Sequence, residues 1–463
     1  MRNILFIPAV AAICSCTNLP SATDSNQGST ASDYSVASLV PASGTFPIDL
    51  ETTLKLAAGR NLDLAIAIEK SNRAAARADR AMLTLVPDLA VGASFAKQNG
   101  LLQDTLGTPV NASRVSESSG LGTASGAPGL SLDLNVSRAI FAPLATRQDR
   151  KAAVAAAEAK EHEIFADAAA AYYELVRARA VLQLSREVEA SARKLAESTK
   201  AFSAAGEGLE ADSERTLANH LLRQGQTARA EADLLRRSAA LARLLHLSPS
   251  LTLIPVDKSV SPIDLVDPDE SVSRMVATAF RFRPETRQMQ SEVAAAANRL
   301  TEQKVKPFLP NVAAGYSNFD FGAGRGSSTE DSDNREEVTA MIYWKLEGLG
   351  FGNAAAAREK EAELKLSKLN EARALDIIVN EVAAARAEAH AQRTRIPLGK
   401  QAAVHAKNAY RLTTDRLQEA QGLPIEALVS IQTLAEAKQA EVDAVLDYNI
   451  AQHRLLAALG HPR

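Results

Sequence analysis

Cysteine is almost missing from this chain: the only two, Cys14 and Cys16, stand at its N-terminal end. A disulfide framework or a cysteine-based zinc site in the remaining sequence is thereby excluded. Aromatic rings are also scarce, with 12 Phe, 7 Tyr and 1 Trp making 4% of 463 residues. A compact core of that size ordinarily uses more of them, because large rings bury the most area per residue. Neither charge dominates: 52 Lys+Arg face 55 Asp+Glu, and no basic block occurs. Nucleic acid, which demands a positive footprint, is not an expected partner. No run of 18 apolar residues follows Cys16, so no transmembrane helix is available and any membrane crossing must be made by strands. Signs of catalysis are equally thin. The 7 histidines are dispersed, and Glu161-His162-Glu163 lacks the second histidine of a helical zinc motif. Gly322–Gly326 and Gly348–Gly352 are glycine-rich without matching a phosphate loop. The expectation is a protein that is not an enzyme, with no metal and no cofactor.

What the chain does have is alanine, the strongest helix former and small enough to let helices approach closely. It also has an export signal. Met1-Arg2-Asn3 is a short positive start, and Ile4–Ile13 is an apolar run of 10 residues, too short to span a bilayer as a helix. Ile13-Cys14-Ser15-Cys16 resembles the lipobox of bacterial lipoproteins, with cleavage before Cys16 and lipid on its thiol. Cys14 fits less well because Ile13 is large for the residue before a cut; the plainer alternative is an ordinary signal peptide. The expected division is a signal peptide over 1–15 and a flexible lipid tether over 16–45, rich in Ser, Thr, Ala, Asp and Gly.

The remainder reads as one unit written twice. Val86-Pro87-Asp88-Leu89-Ala90-Val91-Gly92 aligns with Leu309-Pro310-Asn311-Val312-Ala313-Ala314-Gly315, the signature of an internal repeat. Each copy offers a helix, a strand pair and a long helical hairpin: residues 46–248 with strands within 87–138, and residues 271–463 with strands within 310–346. A proline-broken connector, 249–270, joins them. From Leu144 to Ala205, 62 residues pass without Gly or Pro, which at 1.5 Å per residue allows a helix of about 90 Å. Near the C-terminus an apolar track runs from Ala427 through Ile431, Leu434, Ala437, Ala440, Ala444, Tyr448, Ala451 and Leu455 to Ala458. Its mean step of roughly 3.4 residues is close to a supercoiled seam. Pro397 and Gly399 interrupt the second long helix, and a kink is expected there.

The strand segments alternate. Leu130, Leu132, Leu134 and Val136 share one face, as do Val338, Ala340, Ile342 and Trp344; Leu89–Ala93 and Val312–Tyr316 supply two more. Alternation of this kind suits a transmembrane barrel, but four strands are too few to close one, so several chains must contribute. Nine of the 20 rings gather in and beside these segments. Phe95, Phe141, Tyr316, Phe319, Tyr343 and Trp344 are the candidates for membrane-interface aromatics, although aromatics also favour strands in general.

Taken with the Pro-led strands, the segment Trp344–Gly352 and the two Gly-Leu hairpin turns, the plan resembles the outer-membrane efflux protein family (TolC-like outer-membrane factors), in its lipoprotein branch. The resemblance spans about Ile48 to Gly460. It implies a mainly α fold with a small β part: long coiled-coil α-helical hairpins plus four transmembrane strands per chain. A homotrimer would then close a 12-stranded β-barrel and a periplasmic α-barrel. It implies a passive duct in the outer membrane of a Gram-negative bacterium, lipid-anchored, with a periplasmic helical extension. The implied partners are a periplasmic adaptor, an inner-membrane transporter and outer-membrane lipid. The family's hairpin tips meet the adaptor through a Gly-Leu pair, which assigns that role to Gly206, Gly208 and Leu209 in the first turn and to Gly422 and Leu423 in the second. Acids that narrow the periplasmic mouth correspond to Glu426 and, less closely, Asp212, where a favourable helix dipole is the simpler explanation. The same architecture also serves ducts for protein or polysaccharide. A structural coiled-coil periplasmic lipoprotein is disfavoured by the strands.

Overall fold

The computed structural model describes residues 44–86, 88–89, 91–103, 106–121, 129–257, 261–325, 331–419 and 421–460. The segments expected to be signal peptide and tether, with Cys16, lie almost wholly outside the described residues. The first half of the chain contains β1 (Gly44–Ile48), α1 (Leu50–Arg60), α2 (Leu62–Met82), β2 (Asp88–Leu89), β3 (Val91–Gln103), β4 (Pro109–Leu121), β5 (Gly129–Asn135), α3 (Val136–Ala204) and α4 (Glu210–Leu244). After β6 (Leu251–Pro255) come α5 (Val272–Phe282), α6 (Pro284–Val305), β7 (Asn311–Arg325), β8 (Asp331–Tyr343), α7 (Phe351–Gln418) and α8 (Pro424–Ala458). The fold is mainly α with a small β part.

Duplication is visible in the helix lengths. α1 and α5 have 11 residues each, α2 and α6 have 21 and 22, α3 and α7 have 69 and 68, and α4 and α8 have 35 each. The chain divides into two compact units.

One unit comprises residues up to Leu62, Glu163–Asp267 and Glu388–Arg454. Here β1 and β6 pair in parallel, and helical segments pack through alanine and leucine. Of the ten track residues on α8, Ala427, Ile431, Ala444, Tyr448, Ala451, Leu455 and Ala458 are buried, so the seam is real at both ends of the helix. α7 runs as one helix from Phe351 to Gln418, with Pro397 inside it. Proline removes one backbone donor, and the turns on either side continue the helix. Gly399 has another use. A Cβ there would lie 3.1 Å from the Glu441 Cα and 3.3 Å from the Ala440 carbonyl oxygen, so glycine lets α8 pass backbone to backbone.

The other unit, Asp63–His162, Pro268–Ala387 and Leu455–Arg463, carries the remaining strands. β3 pairs antiparallel with β4, β2 with β5, and β7 with β8. β7 also takes β5 along its first half and β4 along its second. There are thus four strand positions, in the order β2/β3, β4/β5, β7, β8, all antiparallel. Among the described residues the two outer positions have no further neighbour. Val338 and Ile342 on β8 are 78% and 63% exposed.

Two strand ends fall short of the alternation. β5 stops at Asn135, so Val136 and Ser137 begin a helix rather than ending a strand. Asn135 is the cause, since its side-chain oxygen accepts from the Arg138 backbone N–H at 2.9 Å and from the Ser137 hydroxyl at 2.8 Å, capping α3. β8 likewise ends at Tyr343. The turn that follows holds Gly348, Leu349 and Gly350 in the left-handed region (φ 55°, 57° and 95°), and a Cβ on Gly352 would lie 2.8 Å from the Glu347 carbonyl oxygen. That turn is why this segment is glycine-rich.

Candidate functional site: the paired hairpin tips

The α3–α4 turn begins where the Gly206 N–H donates to the Ser203 carbonyl (3.1 Å) and the Glu207 N–H to the Phe202 carbonyl (3.0 Å). These are the two bonds of a Schellman motif, and Gly206 takes the left-handed position at φ 76°. In the α7–α8 turn the Gln421 N–H donates to the Arg416 carbonyl at 2.9 Å. Gly422, unlike Gly206, is not in the left-handed region. Gly422 is instead required by close approach. A Cβ there would meet the Leu417 amide nitrogen at 3.0 Å and the Arg416 carbonyl carbon at 3.2 Å. Gly208 is its counterpart, since a Cβ would meet the Ser203 amide nitrogen and the Phe202 Cβ, both at 3.1 Å. Each glycine presses against residues five and six positions back, folding the turn onto the end of the incoming helix.

The leucine after each glycine opens the outgoing helix. The Leu209 carbonyl accepts from the Asp212 N–H at 3.1 Å, and the Leu423 carbonyl from the Glu426 N–H at 3.0 Å. Their side chains are 70% and 60% exposed. The two tips lie together, and Phe202, Gly208, Leu209, Leu417, Gly422 and Leu423 line a shared cavity of about 260 Å³. Beneath it, the buried hydroxyls of Thr199 and Thr216 bond at 2.6 Å, and Val188, Leu195, Ala427, Leu428 and Ile431 form an apolar cluster. This underpinning fixes the exposed leucines on a rigid base.

Asp212 and Glu426 occupy equivalent places in the first turns of α4 and α8. Each faces a base of its own chain: Asp212 accepts from Arg215 at 2.8 Å, and Glu426 lies 3.8 Å from Arg416.

The aromatic candidates separate. Tyr316 on β7 is 43% exposed and Trp344, just past β8, 58%; the Trp344 Nε1–H donates to the Phe308 carbonyl at 3.3 Å. Tyr343, the last residue of β8, is half-buried. Phe141 sits on α3, in the second turn after β5 gives way to helix at Asn135. Phe95 and Phe319 fall within β3 and β7, with side chains outside the described residues. Phe308 and Phe351, 78% and 82% exposed, add rings where strands give way to helices.

Sequence reasoning missed a charged cluster inside the helical packing. Arg177 on α3 donates to Asp447 on α8, and also lies 3.6 Å from Asp443 and 3.5 Å from Glu174. Arg395 reaches Asp447 at 3.3 Å. Burial opposes the charge on Arg177, but the carboxylates together outweigh it and hold the guanidinium above its ordinary pKa. Asp443 is pushed up, chiefly by burial and also by Asp447, against the pull of Arg177, and among the described residues nothing donates a hydrogen bond to its Oδ1. The connector is laced beside it: Tyr172 donates to Asp257 at 2.6 Å, and Asn449 and Gln452 accept from the Ile263 and Val266 N–H groups at 2.9 and 2.8 Å. Burial, followed by its bond to Asp264, raises the Tyr448 hydroxyl to about 12. The only sequence signal for the cluster was Asp443 and Asp447 flanking an otherwise apolar track.

Long helical hairpins of matching length thus occur in both halves of the chain, with four antiparallel strand positions in its sheet. Residues 53–246 match the sequence model described as Outer membrane efflux protein. That stretch of the chain is therefore similar to outer-membrane efflux proteins. No curated protein matches it in sequence. Solved structures match over most of the length. The outer membrane protein VceC of Vibrio cholerae aligns at a TM-score of 0.71 and 19% identity, covering 89% of this chain and 96% of that one. The Campylobacter jejuni CmeC outer membrane channel gives 0.73 and 15%, covering 89% and 85%. The open state of the Neisseria gonorrhoeae MtrE outer membrane channel gives 0.67 and 19%, covering 89% of each.

Proposed function

We propose that three copies of this chain form a passive duct, through which an inner-membrane transporter and its periplasmic adaptor export small molecules across the outer membrane. The observation that carries this reading is the sheet: four antiparallel strand positions with two open edges, continuous with helical hairpins at both repeats. An open edge in lipid leaves backbone groups unsatisfied, so the edges must pair with other copies, and three copies supply 12 strands. Purified protein in planar bilayers is expected to conduct as a trimer. Absence of channels, or a monomer in gentle detergent, sinks the proposal. A deletion strain screened against drugs, metals and secreted proteins then identifies the cargo, and loss of a secreted polymer alone would favour the secretion duct.

The exposed leucines at the tips are the proposed contact for the adaptor, and Glu426 the proposed acid of the periplasmic mouth. Three Glu426 carboxylates around a narrow pore favour cations, tempered in each chain by Arg416 nearby. Glu426→Gln is expected to reduce cation selectivity by about twofold, read as a reversal-potential shift in a salt gradient. An unchanged potential removes Glu426 from the pore. Lipid on Cys16 is proposed as the anchor. Cys16→Ser protein is expected to remain uncleaved and without palmitate label, whereas normal processing of that variant contradicts the lipobox.

A further inference from the structure

The junction between strands and helices in the first repeat differs from that in the second. Arg77 and Arg80, in the last turns of α2, and Arg138, in the first turn of α3, line a cavity of about 700 Å³. Asp133 of β5 shares its wall, and Leu83 and Val86 form its apolar side. Among the described residues no ion pair joins any of the three arginines, and all three are exposed. In the second repeat the comparable bases are neutralised within the chain: Arg299 of α6 pairs with Asp149, and Lys306, just after α6, with Glu347 at 3.0 Å. Three guanidinium groups against one carboxylate leave a surplus of positive charge in a concave site, and the planar fork of arginine suits phosphate oxygens.

We infer that this cavity binds the phosphate headgroup of an anionic membrane lipid in the periplasmic leaflet of the outer membrane. The inference rests on the reading of the strands as the membrane-spanning part, which puts the end of β5 at headgroup depth. Apolar side chains stand where the acyl chains would run: Met82, Leu83, Val86 and Ile140 are 65%, 53%, 57% and 49% exposed. A soluble anion would have no use for that rim. A lipid uses both halves, with phosphate on the arginines and tails on the exposed aliphatics, and basic pockets at membrane boundaries select anionic lipids in this way.

The test uses the full-length protein reconstituted in phosphatidylcholine vesicles with or without phosphatidylglycerol, then extracted in mild detergent and assayed for retained lipid by mass spectrometry. Wild type is expected to retain phosphatidylglycerol over phosphatidylcholine. Arg138→Gln alone should lower that preference about fivefold, and Arg77→Gln, Arg80→Gln and Arg138→Gln together about a hundredfold. Arg299→Gln, in the paired repeat, should leave it unchanged. If the triple variant does not assemble, the single variants and loss of retention by wild type at high salt carry the test. Equal retention by wild type and the Arg138→Gln variant overturns the inference. So does displacement of the lipid by inorganic phosphate at matched concentration, which would mark a free-anion site, or cross-linking that places a second copy over Arg77. Conductance of the same preparation separates the two readings. A trimer that conducts without retaining phosphatidylglycerol refutes the lipid site alone, and a chain that neither trimerises nor conducts refutes the duct itself.

Discussion

Aspartate at both Leu209 and Leu423 is expected to abolish export in cells while leaving the trimer, and its conductance in planar bilayers, intact. Both side chains are largely exposed, so their replacement removes little packing and costs the fold less than about 0.5 kcal/mol each. Docking is a different matter. Covering a leucine contributes about 1.5–3 kcal/mol, and burying a carboxylate without a partner adds a penalty of several kcal/mol. Two tips per chain, repeated in a trimer, multiply the loss, so export should fall by at least about a hundredfold. Two measurements are needed, accumulation of a pump substrate in cells carrying the variant and single-channel recording of the purified variant. Loss of the first with retention of the second identifies the leucines as a contact surface. Wild-type export by the double variant would show that the exposed leucines touch nothing of consequence.

Much of this surface was readable because its causes are local. Gly-Leu recurs at both turns, and the long stretches without Gly or Pro leave little alternative to helix. The alternation at Leu130–Leu134 and Val338–Ile342 placed two of the four strand positions. Features decided by contacts distant in sequence were not readable. Gly422 is a point of close approach to Leu417, which the Gly-Leu pair alone does not reveal. Gly399 admits the backbone of α8 at Glu441, a contact made 42 positions away in sequence. Asn135 ended a strand that hydrophobic alternation alone would have extended, because its side chain caps the next helix. The unpaired state of Arg77, Arg80 and Arg138 could not be inferred either, since pairing depends on which carboxylates the fold brings near. The Arg177 cluster joins residues 270 positions apart, and only the packed helices make Asp443 and Asp447 its partners.

That cluster gives the second large effect. Arg177→Leu is expected to destabilise the protein by about 3 kcal/mol, because it leaves Asp443 without its ion-pair partner and Asp447 with Arg395 alone. Asp447→Asn should cost about 2 kcal/mol, since Asp447 accepts from both Arg177 and Arg395. Asp443→Asn should behave in the opposite way. Among the described residues nothing donates a hydrogen bond to its Oδ1, and burial is the largest influence raising its pKa. A carboxyl group whose folded pKa lies above its unfolded value contributes stability that is fully present below the unfolded pKa and is lost as pH rises through the folded one. At neutral pH the wild-type protein has therefore lost that contribution, and asparagine, which cannot ionise, removes the loss. Asp443→Asn should be neutral to about 1 kcal/mol more stable at pH 7, with its advantage shrinking as pH falls through the Asp443 titration. Glu187 and Glu285 are shifted the other way: burial opposes ionisation of Glu285, but Arg283 outweighs it, and the bond from Lys438 leads for Glu187. Their stabilisation is lost as pH falls, yet it is common to wild type and variant and cancels in the difference. Denaturant midpoints for the three variants across the acidic range provide the check. An Asp443→Asn protein as unstable as Asp447→Asn at pH 7 would mean that Arg177 depends on both carboxylates equally.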